Sequence, residues 1–220
     1  MNQITSNKLF KSYPWYLTTL FSGCSYPWEI LSATHKYIEE IYSLCIDNGF
    51  TENAEGILVG KNVSISPLAT LIAPAIIGDD TEIRPGAYIR GNVITGKGCV
   101  IGNSSEVKNS IILDYAQIPH FNYAGNTVIG NYAHMGAGAV CSNLKSDKSL
   151  VSVKTNPPIN TGLIKFGAIL GDNVEVGCGC VLNPGTVICP NSRIYPLTAV
   201  RGVIPANSIM KSSTIIIPIK

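Results

Sequence analysis

The stretch VGKNVSISPLATLIAPAIIGDDTEIRPGAYIRGNVITGKGCVIGNSSEVKNSIIL (59–113) places an aliphatic residue at every sixth position. The series runs Val59, Ile65, Leu71, Ile77, Ile83, Ile89, Thr95, Ile101, Val107, Leu113, and nine of these ten are Ile, Leu or Val. The frame shifts near Pro119 and resumes as Tyr123, Ile129, Met135, Cys141. A third run reads Ile164, Leu170, Val176, Leu182, Ile188, Ile194, Val200. A period of six fits neither an amphipathic helix nor the alternation of a half-buried strand. It fits short strands joined by tight corners, three hexads to a triangular coil of about eighteen residues, stacked as a parallel solenoid. The anchors then point inward as aliphatic ladders. Glycine often follows the anchor, as at Gly60, Gly78, Gly102 and Gly171, and it serves corners where positive φ is needed. Between Val59 and Val200 there is room for about seven coils once one interruption is removed.

Outside the repeat the pattern changes. Ile30, Leu31, Tyr37, Ile38, Ile41, Leu44 and Cys45 recur at helical spacing, with Gly49 as a stop, which predicts an amphipathic helix capping the first coil and shielding its unpaired strand edges. SNLKSDKSLVSVKTNPPINTG (142–162) has no hexad register and contains Pro157–Pro158. It reads as a loop thrown out from the stack, within reach of a neighbouring chain. The tail TIIIPIK (214–220) is apolar and β-prone and should pack on its own chain or a neighbour.

Composition narrows the function. Charged residues are only 14% and the formal net charge is +2, so no basic stripe points to nucleic acid. No run of eighteen or more apolar residues predicts a membrane span, and the N-terminus lacks the apolar core of an export signal. Seven cysteines (24, 45, 99, 141, 178, 180, 189) form no C-x-x-C pair. An odd set without an export signal reads as reduced thiols of a cytoplasmic protein. Cys178 and Cys180 lack a second ligand pair nearby, and the three histidines (35, 120, 134) are scattered, so no metal site is expected.

The segment IGNSSEVKNSIILDYAQIPHFNYAGNTVIGNYAHMGAGAVCSN (101–143) resembles the acetyltransferase half of the bifunctional glucosamine-1-phosphate acetyltransferase/uridylyltransferases of bacteria and archaea. The match runs without gaps through Gly102, Lys108, His120, Tyr123, Gly125, Ile129–Gly130, Gly136–Ala137–Gly138 and Asn143. TGLIKFGAILGDNVEVGCGCVLNPGTVICPNSRIYPLTAV (161–200) is similar to the archaeal-type members and their standalone relatives, IRPG (83–86) to an arginine motif of the family, and YPWE (26–29) to the start of the standalone group. The resemblance covers most of residues 57–210. It implies an all-β, left-handed parallel β-helix over 57–210 with the excursion at 142–162, preceded by a helical cap (1–56) and followed by a tail (211–220).

The same resemblance implies an acetyl-CoA-dependent N-acetyltransferase of glucosamine 1-phosphate or galactosamine 1-phosphate. Another acceptor, such as a UDP-amino sugar, and a non-catalytic assembly subunit are the alternatives. A sugar ammonium must lose a proton before it attacks a thioester, and histidine titrates nearest the required pH. His120, beside the frame break, is the expected general base, with Tyr123 and Asn143 orienting amine and sugar. Arg84 and Lys108 are expected phosphate clamps, as fork and point charge. His134 stands where relatives usually carry asparagine. The relatives' downstream lysine falls on Ser149, so Lys145 or Lys148 is expected to substitute. The backbone N–H of Ala137 would serve the tetrahedral intermediate. CoA would lie between subunits of a homotrimer, touching Cys178 and the neighbourhood of Pro196, its phosphates met by Lys165, Arg193 or Arg201. Uridylyl transfer needs a large Gly-rich nucleotide domain, and only 56 residues precede the repeat, so that activity is not expected.

Overall fold

The computed structural model describes residues 2–219 and is a parallel β-solenoid built from three sheets, with an additional two-stranded hairpin. The first face runs from Ile57–Val59 through Ala75–Ile77, Val93–Thr95, Ser110–Ile112, Val128–Ile129, Ala168–Leu170 and Thr186–Ile188 to Val203–Ile204. The second begins at Ser64–Ile65 and the third at Thr70–Ile72. Successive coils pair in parallel, residue for residue.

Each face contributes one inward ladder, so the expected architecture is the observed one. On the second face it is Ile65, Ile83, Ile101, Ile118, Met135, Val176, Ile194, Met210. On the third it is Leu71, Ile89, Val107, Ala124, Cys141, Leu182, Val200. On the first it is Val59, Ile77, Thr95, Ile112, Ile129, Leu170, Ile188, Ile204. Those first-face rungs define seven coils up to Val200 and the start of an eighth. Thr95, the one polar rung, accepts the Gly78 amide on its hydroxyl at 2.9 Å, which answers the cost of burying a polar group.

The frame moves at different places from those expected. From Ile118 to Ala124 the six-residue step is intact, so nothing breaks at Pro119. The steps of five are Val107 to Ile112 and Ala124 to Ile129. Both lie at the corner between third and first faces. An earlier coil turns this corner with two positive-φ residues, Gly91 and Asn92, whereas Asn109 and Asn126 each turn it alone. One residue fewer per corner gives a coil of 17 residues instead of 18. Tyr123 consequently faces outward with Ala124 beneath it, and Leu113 packs outside the prism. Ile164 is exposed and is no rung at all, and the ladder resumes at Leu170.

The N-terminal segment does not sit over the end of the stack. It contains the helical turn Pro27–Ser32 and the helix Thr34–Asp47, and it lies along the first face. The residue before each rung there is also aliphatic: Leu58, Ile76, Ile94, Ile111, Val128, Ile169, Val187. This outward ladder is covered by Leu9, Leu17, Trp28, Leu31 and Ile38. Hydrogen bonds fix the register: Tyr16 Oη donates to the Thr95 carbonyl at 2.7 Å, Asn109 Nδ2 to Leu31 O at 3.0 Å and Asn131 Nδ2 to Ser12 O at 3.1 Å.

The excursion is an ordered hairpin, Ser152–Val153 against Ile159–Asn160. It folds back on its own chain, with Val151 and Val153 fully buried in the same outer cluster. The tail turns back as well, Ile215–Pro218 pairing antiparallel with Ser208–Ser212, as the sequence predicts.

Candidate active site

The corner between the second and third faces brings four of the expected site residues into one column. From the third coil on, each coil turns here on a positive-φ residue: Ser104, Phe121, Gly138, Gly179, Leu197. The residue before each turn forms the column Asn103, His120, Ala137, Cys178, Pro196. One backbone hydrogen bond per coil ties it together: Phe121 N to Asn103 O (2.9 Å), Gly138 N to His120 O (3.1 Å), Gly179 N to Ala137 O (2.9 Å) and Leu197 N to Cys178 O (2.9 Å). Neighbours in the column are therefore about 4.8 Å apart. Four residues assigned separately from the sequence (His120, Ala137, Cys178 and Pro196) fall on it in consecutive coils.

His120 is exposed, and among the described residues its imidazole has no hydrogen-bond or ion-pair partner, so its ring nitrogens are open to a ligand. The amide of Ala137 likewise has no acceptor among the described residues. An unpaired N–H one coil from an imidazole is the arrangement an acyl-transfer intermediate needs.

Beside the column, on the third face, Tyr123 is half-buried and accepts a hydrogen bond from Asn143 Nδ2 at 3.3 Å, while the same Nδ2 donates to Asn126 Oδ1 at 2.8 Å. Burial, with the nearby Glu106 carboxylate, pushes the Tyr123 phenol above its ordinary pKa. The hydroxyl stays protonated and, with Asn143 donating to it, keeps its own hydrogen for a ligand. Gly125 makes this contact possible: a Cβ there would stand 2.8 Å from Asn143 Nδ2 and collide with the Tyr123 hydroxyl. The Y-x-G spacing is thus a steric requirement as well as part of a motif.

The cations divide. Lys108 is half-buried on the third face, in register with Gly125. Arg84 lies elsewhere, on the second-face side two coils before His120, paired with Glu82 at 2.9 Å. The arginine that shares Lys108's row is Arg90, since Tyr88 and Ile89 pair with Glu106 and Val107. Arg90 bridges to Glu106 at 2.6 Å. The signal for it was present, because Arg90 precedes Lys108 by one full coil. His134 faces out from the second face against Gln117 and Glu175, 3.0 Å from the Glu175 carboxylate. Lys145 is turned into the excursion, donating to Ser149 Oγ (3.0 Å) and Leu150 O (2.7 Å). Lys148 is exposed on the same loop. These three are not brought to the His120 column. Among the described residues no group of three His, Cys, Asp or Glu side chains is gathered to hold a metal ion, and His35 bonds Asn92 Oδ1 at 2.7 Å on another face.

The family described as the GMPPB C-terminal domain matches residues 71–204. The chain belongs to this family. It is 32% identical over 194 residues to the bifunctional protein GlmU of Methanococcus vannielii, covering 87% of the chain and 46% of that protein. It is 37% identical over 113 residues to a bifunctional sugar-1-phosphate nucleotidylyltransferase/acetyltransferase of Sulfurisphaera tokodaii, covering 51% of the chain and 28% of that protein. The chain thus spans less than half the length of these relatives. An uncharacterized acetyltransferase of Escherichia coli, YaiX, is 31% identical over 179 residues, which are 81% of the chain and 76% of that relative. The chain is thus similar to proteins named as acetyltransferases. No helix among the described residues is long and apolar enough to cross a membrane.

Proposed function

We propose that the protein transfers the acetyl group of acetyl-CoA to the amine of an amino-sugar 1-phosphate, glucosamine 1-phosphate or galactosamine 1-phosphate. The column His120–Ala137–Cys178–Pro196 carries this reading, because it lines up a free imidazole, a free amide and a bare track of successive coils. The ammonium first loses one proton to solvent, and as the resulting amine attacks the thioester carbonyl His120 takes a second proton from its nitrogen. The Ala137 N–H receives the oxyanion, the C–S bond breaks, and the CoA thiolate leaves with the proton returned from His120. The donor's pantetheine runs past Cys178 and Pro196. Tyr123 and Asn143 hold the sugar, and Lys108 with Arg90 meets its phosphate. The relative named as a sugar-1-phosphate nucleotidylyltransferase/acetyltransferase supports the acceptor class, and the one named as an acetyltransferase supports the reaction.

The working form in this reading is a homotrimer. Leu68, Phe121 and Leu197 are exposed at this corner, and Ile72 and Val181 on the third face, so the site is open on one side and apolar around its rim. A second chain would cover it. Light scattering at micromolar protein checks the trimer, and a monomer would sink it. The activity is checked by trapping released CoA with a thiol dye. His120→Ala should lower turnover by about 10²- to 10⁴-fold at unchanged melting temperature. Absence of CoA release by the wild-type protein with both acceptors would overturn the proposal.

A further inference from the structure

Just inside the active-site corner runs a second column, one residue past each turn: Ala69, Ala87, Ser105, Asn122, Ala139, Cys180, Thr198. Backbone bonds connect its members coil to coil, with Thr70 N to Ala87 O, Tyr88 N to Ser105 O, Glu106 N to Asn122 O, Tyr123 N to Ala139 O, Val140 N to Cys180 O and Val181 N to Thr198 O. Every other member is small, and the position accepts Ala, Ser, Cys or Thr. Only the coil that carries His120 has an amide side chain here.

That amide is buried, with 3% of Asn122 exposed, and all of its polar atoms are used. Oδ1 accepts the backbone N–H of His120 at 3.0 Å. Nδ2 donates to Gly136 O at 2.8 Å and to Ala139 O at 3.2 Å. Its backbone N–H donates to Ser105 Oγ at 3.3 Å. One side chain therefore grips the main chain of His120 on one coil and both ends of the Gly136–Ala139 turn on the next. That turn carries the Ala137 amide. The alternative partners are small: Ala139 leaves room for the amide to reach across, and the direct Tyr123 N to Ala139 O contact is long at 3.3 Å.

We infer that Asn122 is a positioning residue that sets the separation between the His120 imidazole and the Ala137 N–H. This rests on the acyl-transfer reading above. Base and oxyanion donor sit on different coils; the faces on either side are paired, but at this corner the backbone ties them through the long Tyr123 contact and the Gly138 N to His120 O bond at 3.1 Å. A fully satisfied buried amide removes the remaining play, since each of its three bonds would leave an unpaired buried group if broken. Misplacement of about 1 Å between reacting groups is enough to cost about 100-fold.

The test is a double-mutant cycle with Asn122→Ser, a residue the column already holds at 105, and Asn122→Ala beside it. Turnover should fall about 10- to 100-fold, with the KM for acetyl-CoA unchanged, because the track past Cys178 and Pro196 is untouched. In a His120→Ala background the same substitution should cost nothing further, since the base it positions is gone. An equal loss in both backgrounds, or no loss in the wild type, overturns the inference and leaves Asn122 a packing residue. If the wild-type protein turns over no acceptor, the function reading fails and this one is decided by a crystal structure of Asn122→Ser. There the bond from Gly138 N to His120 O should be lengthened or broken. An unchanged His120–Ala137 geometry overturns the inference.

Discussion

The first face and the second-to-third corner are cut from the same coil, yet one is sheathed and the other bare. On the first face the residue before every rung is aliphatic, and the N-terminal segment buries that outer ladder. At the corner the residues before the turns are Asn103, His120, Ala137, Cys178 and Pro196, and among the described residues no segment lies over them. Stability and chemistry are therefore drawn from different sides of one prism. Each side chain buried in the outer ladder contributes about 1.5–3 kcal/mol, and none of it constrains the corner directly. A repeat lets function accumulate on one edge because neighbouring coils already hold that edge in register.

The comparison breaks most sharply at Ile111, fully buried between first face and sheath. Ile111→Ala should cost about 2–5 kcal/mol in denaturant unfolding and leave the KM for acetyl-CoA unchanged in the folded fraction. A changed KM would show that the two sides are coupled. Alkali should strike both sides together. Cys99 and Cys141 lie inside the prism, and burial pushes their thiols from 9.0 to about 12. Cys45 and Cys189 lie under the sheath and are pushed to about 11. Between these values the unfolded chain releases protons that the folded chain keeps. Stability is then complete below pH 9 and declines as pH rises toward 12, by about 1.4 kcal/mol per pH unit for each thiol. A melting temperature flat from pH 8 to 11 would contradict this. The smallest effect is expected at Tyr16, whose hydroxyl bridges sheath and first face through Thr95 O. Tyr16→Phe should cost about 1 kcal/mol, read as a shift in the urea midpoint, with activity unchanged.

The period of six was legible, and with it the solenoid and its number of coils, because an inward ladder needs the same residue type on every face. The shortened corners were harder. Asn109 and Asn126 look like Asn92 in sequence, and only the backbone shows that each turns alone. The residue missing at Asn109 displaces Leu113 from the ladder, and the one missing at Asn126 displaces Tyr123. The sheath was also readable in principle. Leu58, Ile76, Ile94, Ile111, Val128, Ile169 and Val187 form a second apolar series, spaced by a coil instead of a hexad, and it names the face the N-terminal segment covers. At the site, His120 and Tyr123 are legible through the H-x-x-Y-x-G motif, whose Y-x-G part has a steric reason in Gly125. Arg90 was passed over for Arg84 because a short motif outweighed the coil spacing. Asn122 gave no signal, since its work depends on carbonyls fourteen and seventeen residues away.

The antiparallel strands at the edges of the stack have a consequence for association. A column of parallel strands presents the same unpaired amides and carbonyls at each end, and two such ends can join into a growing rod. Here Thr51–Ala54 runs against Ile57–Val59, and Ile215–Pro218 runs against Ser208–Ser212. The reversals put a differently oriented edge at one end of the first sheet and at the opposite end of the second. End-to-end polymerisation is disfavoured, so the trimer proposed above would form through the sides of the prism.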